Sequence, residues 1–177
     1  NEGASAQAVA HLLGLGHRRI ALIAHAAPVF STSRMRLVGY RDALTQAGIP
    51  YDSSIVRHAD FSEQSGFDEM RWLLDNTPDV TAVFAGNDVV AYGAMQAILH
   101  AGLRIPDDVS VVGFDDDYMS RFLNPPLTTM ALPAAGHGAA SVDALIERIR
   151  ETGRPPVRRV LTSSIAVRGT TAPPRRA

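Results

Sequence analysis

Ile105-Pro-Asp-Asp-Val-Ser-Val-Val-Gly-Phe-Asp-Asp116 decides the fold. It reads as an acidic turn, a short apolar strand over 109–113, and a carboxylate cluster at the strand's carboxyl end. Ligands of open parallel sheets bind beyond those strand ends, so Asp115 and Asp116 stand where recognition or chemistry is expected. Upstream, Arg19-Ile-Ala-Leu-Ile-Ala24 is nearly all apolar, the pattern of a strand buried on both faces. Residues 80–85 repeat that pattern and 55–56 give a weaker version.

Helical patterns separate these runs. Residues 4–15 place Ala4, Ala8, Leu12 and Leu15 on one face before Gly14 and Gly16. Residues 33–47 carry Leu37, Tyr40, Leu44 and Ala47 and stop at Gly48, with Pro50 beyond. Residues 62–75 turn Phe67, Met70 and Leu74 inward, and 88–101 end at Gly102. Strand-helix units at this spacing predict a doubly wound parallel sheet in three α/β/α layers, with right-handed crossovers. The last third predicts a strand at 127–131, a helix at 137–151 with Val142, Leu145 and Ile149 inward, a strand at 161–167 and a loose tail at 172–176. Arg154-Pro155-Pro156 marks a bend between lobes.

Composition sets the bounds. A chain of 177 residues, 46% hydrophobic, buries roughly 70% of its unfolded surface and forms one full domain or two small lobes. Seventeen Lys+Arg against 18 Asp+Glu provide no chain-wide positive field to grip a polyanion. The absence of cysteine excludes disulfides, thiolate metal sites and a cysteine nucleophile, and fits a reducing compartment, so the cytoplasm is the expected location. No apolar run approaches the roughly 18 residues of a membrane span. The chain starts at Asn1 without a methionine, which suggests that a segment precedes it. The six histidines lack zinc spacing and acid partners and read as surface or capping residues. With no Gly-x-Ser-x-Gly elbow, Walker loop or Gly-x-Gly-x-x-Gly fingerprint, no enzyme and no cofactor is expected. Asp115, Asp116 and Asp117 offer hard oxygen ligands, but three consecutive carboxylates converge poorly on one ion, so no metal is expected either.

Leu15-Gly-His-Arg-Arg-Ile-Ala-Leu-Ile23, Arg36-Leu-Val-Gly-Tyr40, Ala85-Gly-Asn-Asp88, the 105–116 run and Pro126-Leu-Thr-Thr129 together resemble the lactose/galactose repressor family. The likeness runs from about residue 1 to about 174 and matches only the latter half of that family's effector domain. It implies a periplasmic-binding-protein-like (type I) second lobe, 1–128 and 159–174, with 129–158 a return segment that in relatives packs on the first lobe. The DNA-binding headpiece has no counterpart here. The implied function is the dimerising, ligand-sensing core of a DNA-binding repressor controlled by a small molecule such as a sugar or purine. Operator DNA is reached only through the missing headpiece. A periplasmic solute-binding receptor for a sugar transporter is the alternative, since a shared fold does not fix function.

Arg36, read alone, is a solvated residue of an amphipathic helix; the resemblance makes it an effector contact through its planar guanidinium. Asp115, alone, caps or turns as readily as it accepts ligand hydrogen bonds; the resemblance makes it the leading contact. Asn87 or Asp88 caps the helix that follows, and the resemblance adds a ligand role for Asn87 and a structural one for Asp88. Phe61 offers an aromatic face to a sugar or purine, against a core-packing alternative. Phe30 and Thr32 match variable pocket-lining positions, and Arg34 is read as surface. Leu132, Pro133 and Ala134 lack the amide, acid and aromatic that some sugar-binding relatives place nearby, which leaves a more apolar or purine-like effector open.

Overall fold

A computed structural model describes residues 1–151, 153, 155 and 158–175. Its six-stranded sheet has the order β2-β1-β3-β4-β5-β6, with β1 (Ile20–Ala24), β2 (Val56–His58), β3 (Ala82–Ala85), β4 (Ser110–Asp115), β5 (Thr128–Ala131) and β6 (Ser164–Ala166). The first five strands run parallel, and β6 pairs antiparallel with β5. The helices are α1 (Glu2–Gly14), α2 (Ser31–Gln46), α3 (Glu63–Asn76), α4 (Asp88–His100) and α5 (Ala134–Arg150), with short 3-10 turns at Ser53–Ile55 and Tyr118–Arg121.

β1 and β3 are apolar throughout, and β4 from Val111 to Phe114, because both faces there are covered. Ile20, Leu22 and Ala24 of β1, Phe84 of β3 and Phe114 of β4 point to one face, where they meet Ala8, Leu12, Tyr40 and Leu44 of α1 and α2. Ala21, Ile23, Val83 and Val111 point to the other, into Met70, Leu73, Ala94 and Ile98 of α3 and α4. That alternation produces the expected three layers. α3 and α4 approach closely at Gly93, where an added Cβ would stand 2.7 Å from the backbone nitrogen of Phe67 and closer still to the carbonyl of Glu63.

After β2 the chain crosses back over β1 to form β3, so the strand order reverses between β1 and β3. Such a switch point splays the two following loops apart and opens a crevice at the strands' carboxyl ends.

Several expectations need correction. α5 has no buried residue, and Val142, Leu145 and Ile149 are 55%, 59% and 68% exposed rather than inward. Helical periodicity marks an apolar stripe but not what covers it. β5 keeps residues 128–131 in the sheet. The strand expected at 161–167 shrinks to Ser164–Ala166. The tail is fastened rather than loose: Thr170 is fully buried, Val111 N–H donates to its carbonyl at 2.8 Å, and Arg175 pairs with Asp108 at 2.8 Å. Arg154, Pro156 and Arg176, on which the expected bend and tail end partly fall, lie outside the described residues.

His17 and His25 are buried, not surface or capping residues. His17 Nε2 donates to the Ala172 carbonyl at 2.8 Å, which leaves Nδ1 to accept from the Thr81 hydroxyl at 2.9 Å. Its partners are hydroxyls and a carbonyl, so a search for acid partners overlooks it.

Candidate functional site

The loops after β1, β3 and β4 converge at the switch point. Arg36 stands on the second turn of α2, which follows β1, and is 6% exposed. Its guanidinium donates to the Gly86 carbonyl beyond β3, reaches His25 Nδ1 at 3.3 Å, and pairs with Asp115 Oδ1 at 3.2 Å. It also lies 3.8 Å above the Phe114 ring. Burial works against its charge, while Asp115 and then Asp88 support it. Its buried Nε has no hydrogen-bond partner among the described residues.

Asp115 closes β4 at φ +119°, with a side chain 40% exposed. Desolvation pushes its carboxyl up to about 6, an effect opposed by Arg36 and reinforced by Asp88 and Asp117. The three consecutive carboxylates diverge: Asp116 goes to Arg168 and Arg121, and Asp117 Oδ1 accepts from Met119 N–H. No cluster of three metal-ligating side chains occurs among the described residues.

Asn87 is the N-cap of α4, its Oδ1 accepting from Val90 N–H at 2.9 Å. Asp88 is 1% exposed and holds the loops together, accepting from Ser120 Oγ and Thr129 Oγ1 at 2.6 Å each and from Asp117 N–H at 2.8 Å. Burial raises its pKa against those three hydrogen bonds. Phe61, at φ +71°, is 46% exposed and meets the Phe30 ring edge-on at 5.7 Å. Thr32 belongs to the first turn of α2. Arg34, exposed as expected, donates to the Pro28 and Val29 carbonyls at 2.9 Å each.

His25, which sequence reasoning missed, underlies the group. An arginine only donates, so Nδ1 accepts from Arg36 and Nε2–H donates to Thr32 Oγ1 at 3.2 Å. Its ring stands edge-on to Phe61 at 5.1 Å. Desolvation, then the Arg36 charge, lowers its pKa to about 4, so it is neutral at pH 7. Its position directly after an all-apolar strand, the same rule that marked Asp115, was the signal for it. The structure thus brings Arg36, Asp115, Thr32, Phe61 and Phe30 into one chain of contacts, with Asn87 next to Gly86 at its edge. A hollow of about 520 Å³ lined by Gln7, Leu132, Pro133, His137, Arg159 and Leu161 lies elsewhere, at α1 and the foot of α5.

The cluster presents acceptors, a forked cation and aromatic faces but no activated nucleophile. Ser110 does contact His17, at 3.2 Å, yet both are buried and the ring proton is committed to Ala172. An open, mainly parallel α/β sheet with a polar cluster at its switch point is the class that this fold and site define.

The sequence profile of the periplasmic binding protein-like domain matches residues 9–171. The chain is 40% identical over 168 residues to the HTH-type transcriptional regulator CelR of Thermobifida fusca, covering 95% of this chain and 49% of that one. A solved CelR–cellobiose complex superposes with a TM-score of 0.89 at 40% identity over 95% of this chain and 51% of the other. The ribose operon repressor of Escherichia coli K12 is 39% identical over 163 residues, 92% of this chain and 49% of the repressor. A dimeric Lac repressor structure gives a TM-score of 0.91 at 36% identity, covering 98% and 62%. The chain belongs to the periplasmic binding protein-like domain family, on its lactose/galactose repressor side. It spans about half the length of the curated relatives it matches. Those relatives are named as regulators rather than as enzymes or transport receptors. No helix among the described residues is long and apolar enough to cross a membrane.

Proposed function

We propose that this chain is the second lobe of the effector-sensing core of a DNA-binding transcriptional regulator, with Arg36, Asp115, Asn87, Phe61, Thr32 and Phe30 forming its wall of the effector site. The observation that carries this reading is the convergence of Arg36 and Asp115, 79 positions apart in sequence, at 3.2 Å on the sheet's switch point. The effector is a small neutral solute with hydroxyl or amide donors: Asp115 and Asn87 accept, and Phe61 and Phe30 offer apolar faces. CelR's bound cellobiose and the ribose repressor's name support a saccharide. A purine remains the second choice, motivated by the apolar Leu132, Pro133 and Ala134. The site binds and does not catalyse, and the protein acts in the cytoplasm, where its operator lies.

α5, within the return segment, packs on a first lobe, which would cover its exposed stripe. Effector binding between the lobes favours one of two arrangements in proportion to its differential affinity, and a dimer transmits the choice to paired headpieces. A thermal-shift screen of the full-length protein against cellobiose, ribose, polyols and nucleobases tests the reading. A binder at about 100 times its Kd stabilises by about 2.7 kcal/mol and raises Tm by a few degrees. A flat response across sugars and purines alike would remove this assignment.

A further inference from the structure

The three aspartates that end β4 reach three different parts of the chain. Asp115 meets Arg36 of α2 at 3.2 Å. Asp116 meets Arg168 of the C-terminal segment, and Arg121 at 3.4 Å. Asp117 N–H donates to Asp88 of α4 at 2.8 Å. Asp115 and Asp116 are consecutive residues at φ +119° and +55°. Backbone of that kind is costly for a residue with a Cβ and persists only where its surroundings hold it.

Arg36 needs no help from Asp115 to keep its place, since Gly86, His25 and the Phe114 ring already fix it. Among the described residues the Asp115 carboxylate bonds to Arg36 alone, so the strained backbone on which it sits places it. That backbone is held by the pairing of β4 with β5, by Asp116 N–H donating to Thr129 Oγ1 at 3.4 Å, and by Arg168. Its guanidinium bridges Asp116 Oδ1 and the Leu127 carbonyl, the latter at 2.8 Å, and its own N–H donates to Thr128 Oγ1 at 2.9 Å. The pair is well shielded, with side chains 17% and 19% exposed.

We propose that Arg168, through its ion pair with Asp116, is a positioning residue that holds the Asp115 carboxylate against Arg36, so the C-terminal segment sets the geometry of the effector site. The effector role of Asp115 rests on the function proposed above, but the positioning does not, and a ligand-free test separates the two.

That test is a carbon-detected NMR titration of the Asp115 carboxyl in the 177-residue chain. The charged groups facing it are Arg36 from α2, Asp88 from α4 and Asp117 from its own loop. In the parent sequence it should titrate near 6, held partly out of water. In Asp116→Asn and in Arg168→Lys, which keeps the cation but loses the two-armed bridge, the carboxyl moves into solvent. Its titration should fall toward the ordinary 3.8, a loss of at least tenfold in proton affinity. Arg175→Gln breaks a pair from the same segment at the far end of the sheet and should leave the titration unchanged. Should Asp116→Asn fail to fold, Arg168→Lys carries the test. Unmoved titration in the folded clamp variants, an equal movement in Arg175→Gln, or a parent carboxyl already titrating near 4 would overturn the proposal. If no solute binds the full-length protein while the titration moves as stated, the effector reading fails and the clamp stands.

Discussion

Arg36 and Asp115 show why single residues gave so little away. Arg36 on its helix reads as solvated, yet it is buried, held by a carbonyl, an imidazole and a ring. Only the repressor-like motif marked it, because its partners lie far off in sequence. His25 and Asp115 titrate in opposite senses over one pH window. The folded pKa of His25 is about 4 against an ordinary 6.5, so its contribution is complete above pH 6.5 and is lost as pH falls toward 4. A gap of that size is worth on the order of 3 kcal/mol. Asp115, raised to about 6 from 3.8, binds its proton first in the folded state and recovers stability as pH falls through the same range. Asp115→Asn removes the compensating group, so its urea-unfolding free energy should drop more steeply than the parent's between pH 6.5 and 4.5. Parallel slopes would show that the two groups do not titrate as described.

At the scale of elements, the strands were nearly all legible. A strand covered on both faces writes an unbroken apolar run, as β1, β3 and residues 111–114 of β4 do. What escaped was whatever lacked periodicity. The 170–175 segment is held by Thr170, Ala172 and Arg175 through long-range bonds that no local pattern announces. α5 has a clear stripe, but periodicity does not say what covers it. Asn87 serves its helix and, by the proposed function, the ligand, and two variants separate these roles. Asn87→Ala should cost about 1 kcal/mol of stability by removing the cap. Asn87→Ser keeps a capping oxygen and should retain most stability while weakening effector binding by the full-length protein. If Asn87→Ser binds like the parent, Asn87 only caps. Gly93→Ala forces α3 and α4 apart and should destabilise by about 1–3 kcal/mol in urea melts. An unchanged midpoint would show that the helices can give way.

The whole molecule is an open parallel sheet with a polar cluster at its switch point and an uncovered apolar helix beyond its edge. By the proposed function the closed site draws half its contacts from a first lobe, so the isolated chain should bind any effector weakly or undetectably. Nanomolar calorimetric affinity for a sugar by this chain alone would contradict that division of labour. The exposed Val142, Leu145, Ile146 and Ile149 should drive self-association of the isolated chain through α5. A monomer in sedimentation analysis at high micromolar concentration would argue against it. The claim on which the rest depends is that Asp115 and Arg36 hold a small solute together. Isothermal titration of the full-length protein and its Asp115→Asn variant, with the strongest binder from the thermal screen, tests it most directly. Loss of a charged hydrogen bond predicts an affinity roughly 10- to 100-fold weaker with the fold intact, and an unchanged Kd would contradict the account.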